Sequence, residues 1–218
     1  MPARPEELSR APVAAPLADP PARIVRAARA HLFVHGYSTW TMDDLAAELG
    51  MSKKTLYQHF PTKEDLGRAA LEQFAAEVRA EADAIIADRN LTFAEKLRGF
   101  TGGMHQRLSQ LAPHILRDLQ RSAPALHDFT FEMRRKNVPY IFGRLLEQGQ
   151  LTGKVRPELD APFAAEFLLH AMQGIMSPAS LEHLHLAPHQ AFEKAMSLYF
   201  GGLLTPAGRK DYEKSFPG

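Results

Sequence analysis

The chain has 218 residues, 26 Lys and Arg against 25 Asp and Glu, and a formal net charge of +1, with 45% hydrophobic and 23% charged residues. This is the composition of an ordinary globular chain long enough to bury a real core. The near-neutral balance neither demands nor excludes a nucleic-acid partner, because basic charge can gather on one face. With no cysteine, disulfides, thiolate metal ligands and cysteine nucleophiles are excluded.

Residues 1–21 are rich in Pro and Ala and have no periodic apolar pattern, so a flexible arm is expected there. Prolines together with Glu6, Glu7 and Asp19 interrupt what could otherwise read as a signal segment. From there helical spacing runs almost throughout. Helices are predicted at 22–35, where Gly36 ends the pattern, at 42–49 and at 53–59. A long helix follows from Lys63 to about Asp88. The next begins after Thr92 and carries Phe93, Leu97, Phe100, Met104, Leu108 and Leu111 as an apolar stripe. Gly102-Gly103 interrupts that stripe and predicts a kink or a close approach by another element or a ligand. Helices at about 113–121, 124–149, 160–177 and 188–202 complete the pattern, punctuated by Pro113, Pro124, Gly149 and Pro178. No run alternates as a strand would, and the most apolar stretch, Phe163 to Met176, is too short to span a bilayer. The fold class is all-α, and the expected location is cytoplasmic.

Residues 41–60 have helix-turn-helix grammar. Thr41 is placed to cap the first helix, with Asp44 three residues on. Leu45 and Leu49 point inward, and the small Ala46 allows a close crossing. Gly50 sits where the turn needs a left-handed residue. Ser52 caps the second helix, whose Leu56 and Phe60 face inward and leave Lys53, Lys54, Thr55, Tyr57, Gln58 and His59 outside. Lysine can approach guanine acceptors or phosphates, Gln58 can bond adenine bidentately, and Thr55 offers a hydroxyl and a methyl. Tyr57, His59 and Lys63 suit phosphate contacts, which position a helix without reading sequence. The candidate DNA-binding set is therefore Thr41, Ser52, Lys53, Lys54, Thr55, Tyr57, Gln58, His59 and Lys63. The plainer alternative is the wet face of an ordinary amphipathic helix.

The run from Ile24 to Leu66 resembles the TetR (TetR/AcrR) family of bacterial regulators. The matching features are Ala27-Ala28, Leu32-Phe33, Gly36-Tyr37, Thr41-Met42, Asp44-Leu45-Ala46, Gly50-Met51-Ser52, Thr55-Leu56-Tyr57, His59-Phe60 and Lys63-Glu64-Asp65-Leu66. Trp40 departs from the small polar residue often found there; packing against the first helix or a touch on the DNA backbone are the two readings. The resemblance implies a homodimer with a three-helix DNA head, and a fourth helix linking it to a ligand-binding body. It also implies a repressor released by a small molecule. On that basis the head is placed at 22–68 and the effector-binding and dimerisation domain at 69–218.

Candidate effector-binding residues are Met104, His105, Leu108, Phe129, Met133, Asn137, Tyr140 and His170, where apolar walls meet a few polar groups; such a stripe serves equally as plain core. The stretches 160–177 and 188–202 are apolar on more than one face. Phe163, Phe167, Leu168, Ala171, Met172, Ile175, Phe192, Met196 and Tyr199 are therefore candidates for a four-helix seam across a two-fold axis. His183, His185 and His189, with Glu182, raise a metal site, but no second Glu-x-x-His accompanies them. No cofactor, metal or catalytic residue is expected. The expected partners are an operator DNA duplex, a small apolar or amphipathic effector and a second copy of the chain, with no membrane. The competing readings are a ligand-independent DNA binder of the same fold and an all-α metal-carboxylate enzyme.

Overall fold

The computed structural model of the chain describes residues 19–214. The expected arm at 1–21 lies outside the described residues, except that Pro20 and Pro21 already open the first helix. Among the described residues the chain forms eleven α-helices, with one isolated bridge between Val155 and Leu204 and no strand. The head comprises α1 (Pro20–His35), α2 (Met42–Glu48) and α3 (Lys53–His59); α4 (Lys63–Ala87) leads out of it. The body comprises α5 (Phe93–Ser109), α6 (Ile115–Ser122), α7 (Pro124–Leu151), α8 (Ala161–Ile175), α9 (Pro178–Leu184), α10 (Pro188–Leu203) and α11 (Pro206–Lys214).

Local chemistry accounts for the helix starts. Thr41, Ser52, Thr62, Thr92, Asp160 and Ser177 each accept a backbone N–H from three residues on, which satisfies a donor the helix itself leaves unpaired. Thr41 with Asp44, and Thr92 with Glu95, complete reciprocal capping boxes. Prolines stand in the first turns of α1, α7, α8, α9 and α10, where a missing N–H is harmless.

Packing turns these helices into one molecule. Ile24, Ala28 and Leu32 of α1 are fully buried with Leu66 and Ala70 of α4, and Phe33 meets Phe74 edge-on at 5.2 Å. At about 1.5 Å per residue α4 is long enough, roughly 38 Å, to serve both the head and the body. A single apolar cluster runs from Ile24 through the body to Leu204. Buried Lys96 donates to the Ile86 carbonyl at 2.7 Å and to Gln148 Oε1 at 3.1 Å, tying the α4–α5 corner to α7. Tyr199 Oη donates to the Ala164 carbonyl at 2.8 Å, locking α10 on α8.

Three features differ from the sequence reading or refine it. α5 runs unbroken through Gly102-Gly103, and the close approach is realised instead: Glu81 of α4 lies where a Cβ on Gly103 would stand, and it pairs with Arg107. The short α9 occupies part of what reads as loop, and it ends at left-handed His185. α11 follows α10 after the turn at Leu204–Thr205, and the Lys154–Asp211 pair at 2.6 Å holds it to the body.

Candidate functional site

The head presents α3 on a rigid frame. α2 ends in a paired turn: Gly50 N–H donates to the Ala47 carbonyl at 3.1 Å and Met51 N–H to the Ala46 carbonyl at 3.0 Å. Gly50 sits at φ +63 with open space around it, so the constraint there is the left-handed backbone alone. Arg23 of α1 donates to the Leu49 carbonyl at 2.7 Å and completes that helix end. Leu56 is the buried residue of α3 and anchors it. Lys53, Lys54, Tyr57, Gln58 and His59 are exposed and Thr55 is half-buried, all on the remaining surface. Tyr57 exposes 44% of its surface, a large value for an aromatic side chain with no reason to avoid the core.

The candidate residues are not equivalent. Thr41 and Ser52 are engaged as caps, with Thr41 Oγ1 2.7 Å from Asp44 Oδ2 and Ser52 Oγ 2.8 Å from Thr55 Oγ1. Lys53 is paired with Asp43 of α2 at 2.6 Å, a solvent-exposed contact that a phosphate can compete away. Lys63 departs from its expected place on the phosphate-facing surface. Its ammonium donates to the Tyr37 carbonyl at 2.5 Å and to the Trp40 carbonyl, and lies 4.4 Å from each of their ring centroids. Burial pulls its pKa below the usual lysine range, against the opposing pull of Asp118 and Asp44. The physical reason is position: at the first turn of α4 its stem points back under the α1–α2 loop, so the charge closes that loop. Trp40 accordingly packs inside the head, 4% exposed, and its Nε1 has no hydrogen-bond partner among the described residues.

The head is also held from the body side. Ala112 N–H donates to the Phe33 carbonyl at 2.8 Å, and Ser38 N–H to Asp118 Oδ2 at 2.9 Å. Burial pushes the Asp118 carboxyl up, but hydrogen bonds from Ser38 prevail and hold it below the usual carboxylate range. Another side of α6 carries Ile115, Leu116 and Leu119, which line a cavity of about 170 Å³ bordered by α1, α4, α5, α6, α7, α8 and α10. This is roughly ten times the room one water needs.

Met104, Leu108, Met133 and Asn137 line this cavity, whereas His105, Phe129, Tyr140 and His170 do not. His105 stands against His189 at 5.3 Å. Phe129 carries the Arg68 guanidinium on its ring at 4.3 Å. Tyr140 donates to Asp83 at 2.8 Å across the α4–α7 seam. His170 is on the outer face of α8, 4.0 Å from Glu166. His105, Phe129 and Tyr140 each lie one step around the helix from a cavity-lining neighbour, Met104, Thr130 and Ile141. The sequence reading overlooked Arg134, which lines the cavity between Thr130 and Asn137 on α7. The signal was available: residues 130, 134 and 137 share one helical face with Met133 and Ile141 close by.

The seam candidates divide as well. Leu168, Met172, Phe192, Met196 and Tyr199 are buried within the subunit, with Met172, Phe192 and Met196 against the cavity. They belong to the subunit's own core rather than to a seam between copies, because α8 turns that stripe toward α7 and α10. Ala171 and Ile175 are half-buried. Phe163 and Phe167 remain 70% and 59% exposed, and Leu198 of α10, absent from the expected set, is 81% exposed. Near the possible metal residues, Glu182 pairs with Arg117, and no group of three His, Asp or Glu suited to a metal ion occurs among the described residues. No helix among them is long and apolar enough to cross a membrane.

A short capped helix displayed outward on a three-helix head, with a helical body behind it, is the helix-turn-helix arrangement. Residues 24–76 match the family described as bacterial regulatory proteins, tetR family. An uncharacterized HTH-type transcriptional regulator of Bacillus subtilis, YvaF, is 36% identical over 86 residues, 39% of this chain and 45% of YvaF. The match thus spans less than half the length of that relative. The HTH-type transcriptional repressor DhaR of a Mycobacterium species is 23% identical over 149 residues, 67% of this chain and 75% of DhaR. Two solved structures share the fold: a transcriptional regulator of Cytophaga hutchinsonii (TM-score 0.64, 20% identity, 84% of this chain and 98% of that one) and a TetR transcriptional regulator of Legionella pneumophila (TM-score 0.64, 16% identity, 87% and 100%). The similarity to the tetR family model is confined to residues 24–76, and the two solved structures share the fold of most of the chain.

Proposed function

We propose that the protein is a homodimeric, ligand-responsive repressor that binds a near-palindromic DNA operator through α3 and leaves it when a small apolar or amphipathic molecule fills the body cavity. The proposed head is 22–68, and the proposed setting is the cytoplasm. Lys54, Gln58 and Thr55 are assigned to base edges, Tyr57 and His59 to phosphates, and Lys53 to either once Asp43 releases it. Two heads about 34 Å, or a multiple of it, apart would meet successive major grooves. Phe163, Phe167 and Leu198 form the proposed seam; burying each stabilises association by about 1.5–3 kcal/mol.

The observation that carries the reading is the two-sided use of α6. One side lines the cavity, and the other holds the head loop through Asp118 and Ser38. A ligand that favours a displaced α6 therefore favours displaced heads, and by linkage it weakens DNA binding by the same factor that DNA weakens ligand binding. The test starts by selecting bound fragments from a random duplex pool. Binding to the selected sequence is then measured for the parent, Gln58→Ala and Lys54→Ala. The expected result is a two-fold-symmetric site, with changed base preference for Gln58→Ala. Absence of duplex binding at low salt, or binding unaffected by both substitutions, would overturn the assignment.

A further inference from the structure

The cavity is apolar on nearly every wall. Phe74, Phe100, Phe142 and Phe192 with Met104 and Met196 typify it, and no Asp or Glu is among its lining residues. Into this surface α7 places one cation. Arg134 lines the cavity, and desolvation pulls its guanidinium pKa down to about 10. Among the described residues it makes no ion pair and no hydrogen bond; its guanidinium lies over the Phe131 ring, 5.3 Å away. The other arginines of α7 differ: Arg135 pairs with Glu132 and Arg144 with Asp83. The neighbouring polar groups are already engaged, with Thr130 Oγ1 donating to the His127 carbonyl at 2.7 Å and Asn137 Nδ2 to the Ala75 carbonyl at 3.2 Å.

Arg134 is half-buried, so the donors it turns to the cavity can be met only by water or by a ligand, and an anion meets them best. Its planar fork matches two oxygens of one acceptor group. Protein supplies no such group here, so the complement has to come with whatever fills the cavity. We infer that the cavity takes an apolar monoanion, a carboxylate on a hydrocarbon body, whose charged end docks on Arg134 while its tail lies among the Phe and Met side chains. This rests on reading the cavity as the effector site and narrows the effector to one charge type. A neutral ligand of equal size would leave the guanidinium unmatched, and a cationic ligand would be repelled by it.

The test uses the full chain and straight-chain carboxylates from hexanoate to dodecanoate, below micelle-forming concentrations. Each is compared with the alcohol and the amine of the same length, by calorimetry and by thermal shift. The best carboxylate should bind roughly tenfold or more tightly than its alcohol, the worth of one charge-assisted pair, and the amine should bind least. Arg134→Met keeps the length and removes the charge. It should fold with an unchanged or higher melting midpoint, bind the alcohol as the parent does, and lose the preference for the carboxylate. Equal binding of carboxylate and alcohol by the parent would overturn the anion assignment while leaving the cavity as a ligand site. A preference that survives in Arg134→Met would overturn the role of Arg134. If no member of the three series binds, both the inference and the effector-site reading fall.

Discussion

Lys63 and Trp40 show how burial changes the meaning of a residue within a recognisable motif. The Lys63 ammonium neutralises two carbonyl ends and sits beside two rings, so its removal should act on stability first. Lys63→Met is expected to lower the stability of the protein by about 1–3 kcal/mol, seen in denaturant titration, and to leave the salt dependence of DNA binding unchanged. Lys54→Ala should do the reverse: an unchanged melting midpoint, and a relaxed base preference at one position of the operator. Trp40 has a buried Nε1 without an acceptor, so Trp40→Phe discards an unmet donor along with some packing. The expected change is within about 1 kcal/mol in either direction, and a loss several times larger would mean that the indole N–H has a partner in solution.

Among the elements, α6 joins cavity to head through Asp118. This carboxylate is held below its ordinary range by Ser38, so its contribution is present above the unfolded value of about 3.9 and is lost as pH falls through the lower folded value. Asp118→Asn should therefore reduce the melting midpoint at neutral pH, and the gap from the parent should close as the pH drops below about 4; a gap independent of pH would rule out the carboxylate as the holding group. The same element marks the limit of what sequence could reveal. α2, α3 and α4 were legible because Thr41, Ser52, Thr62 and Gly50 announce their own helix ends. Ile115, Leu116 and Leu119 read only as the apolar side of a short helix, since nothing local says that the space beside them is empty. The split of α8 into a core stripe through Leu168 and an exposed stripe through Phe163 and Phe167 depends on the rotation of the helix against α7, which periodicity leaves undetermined when both faces are apolar.

At the scale of the molecule, the exposed band of Phe163, Phe167 and Leu198 sets assembly apart from folding. Phe167→Glu should leave helicity and the melting curve of a single subunit intact, yet shift sedimentation toward a monomer and weaken operator binding, because two heads then bind independently. The unbroken apolar cluster from Ile24 to Leu204 has a different consequence. A division after residue 68 falls inside α4, ahead of Leu71 and Phe74, which supply part of the floor under α1. The head has no separate melting point to lose: scanning calorimetry should give one heat-absorption peak for the whole chain, with calorimetric and van't Hoff enthalpies in agreement, and a fragment cut at 68 should be largely unstructured.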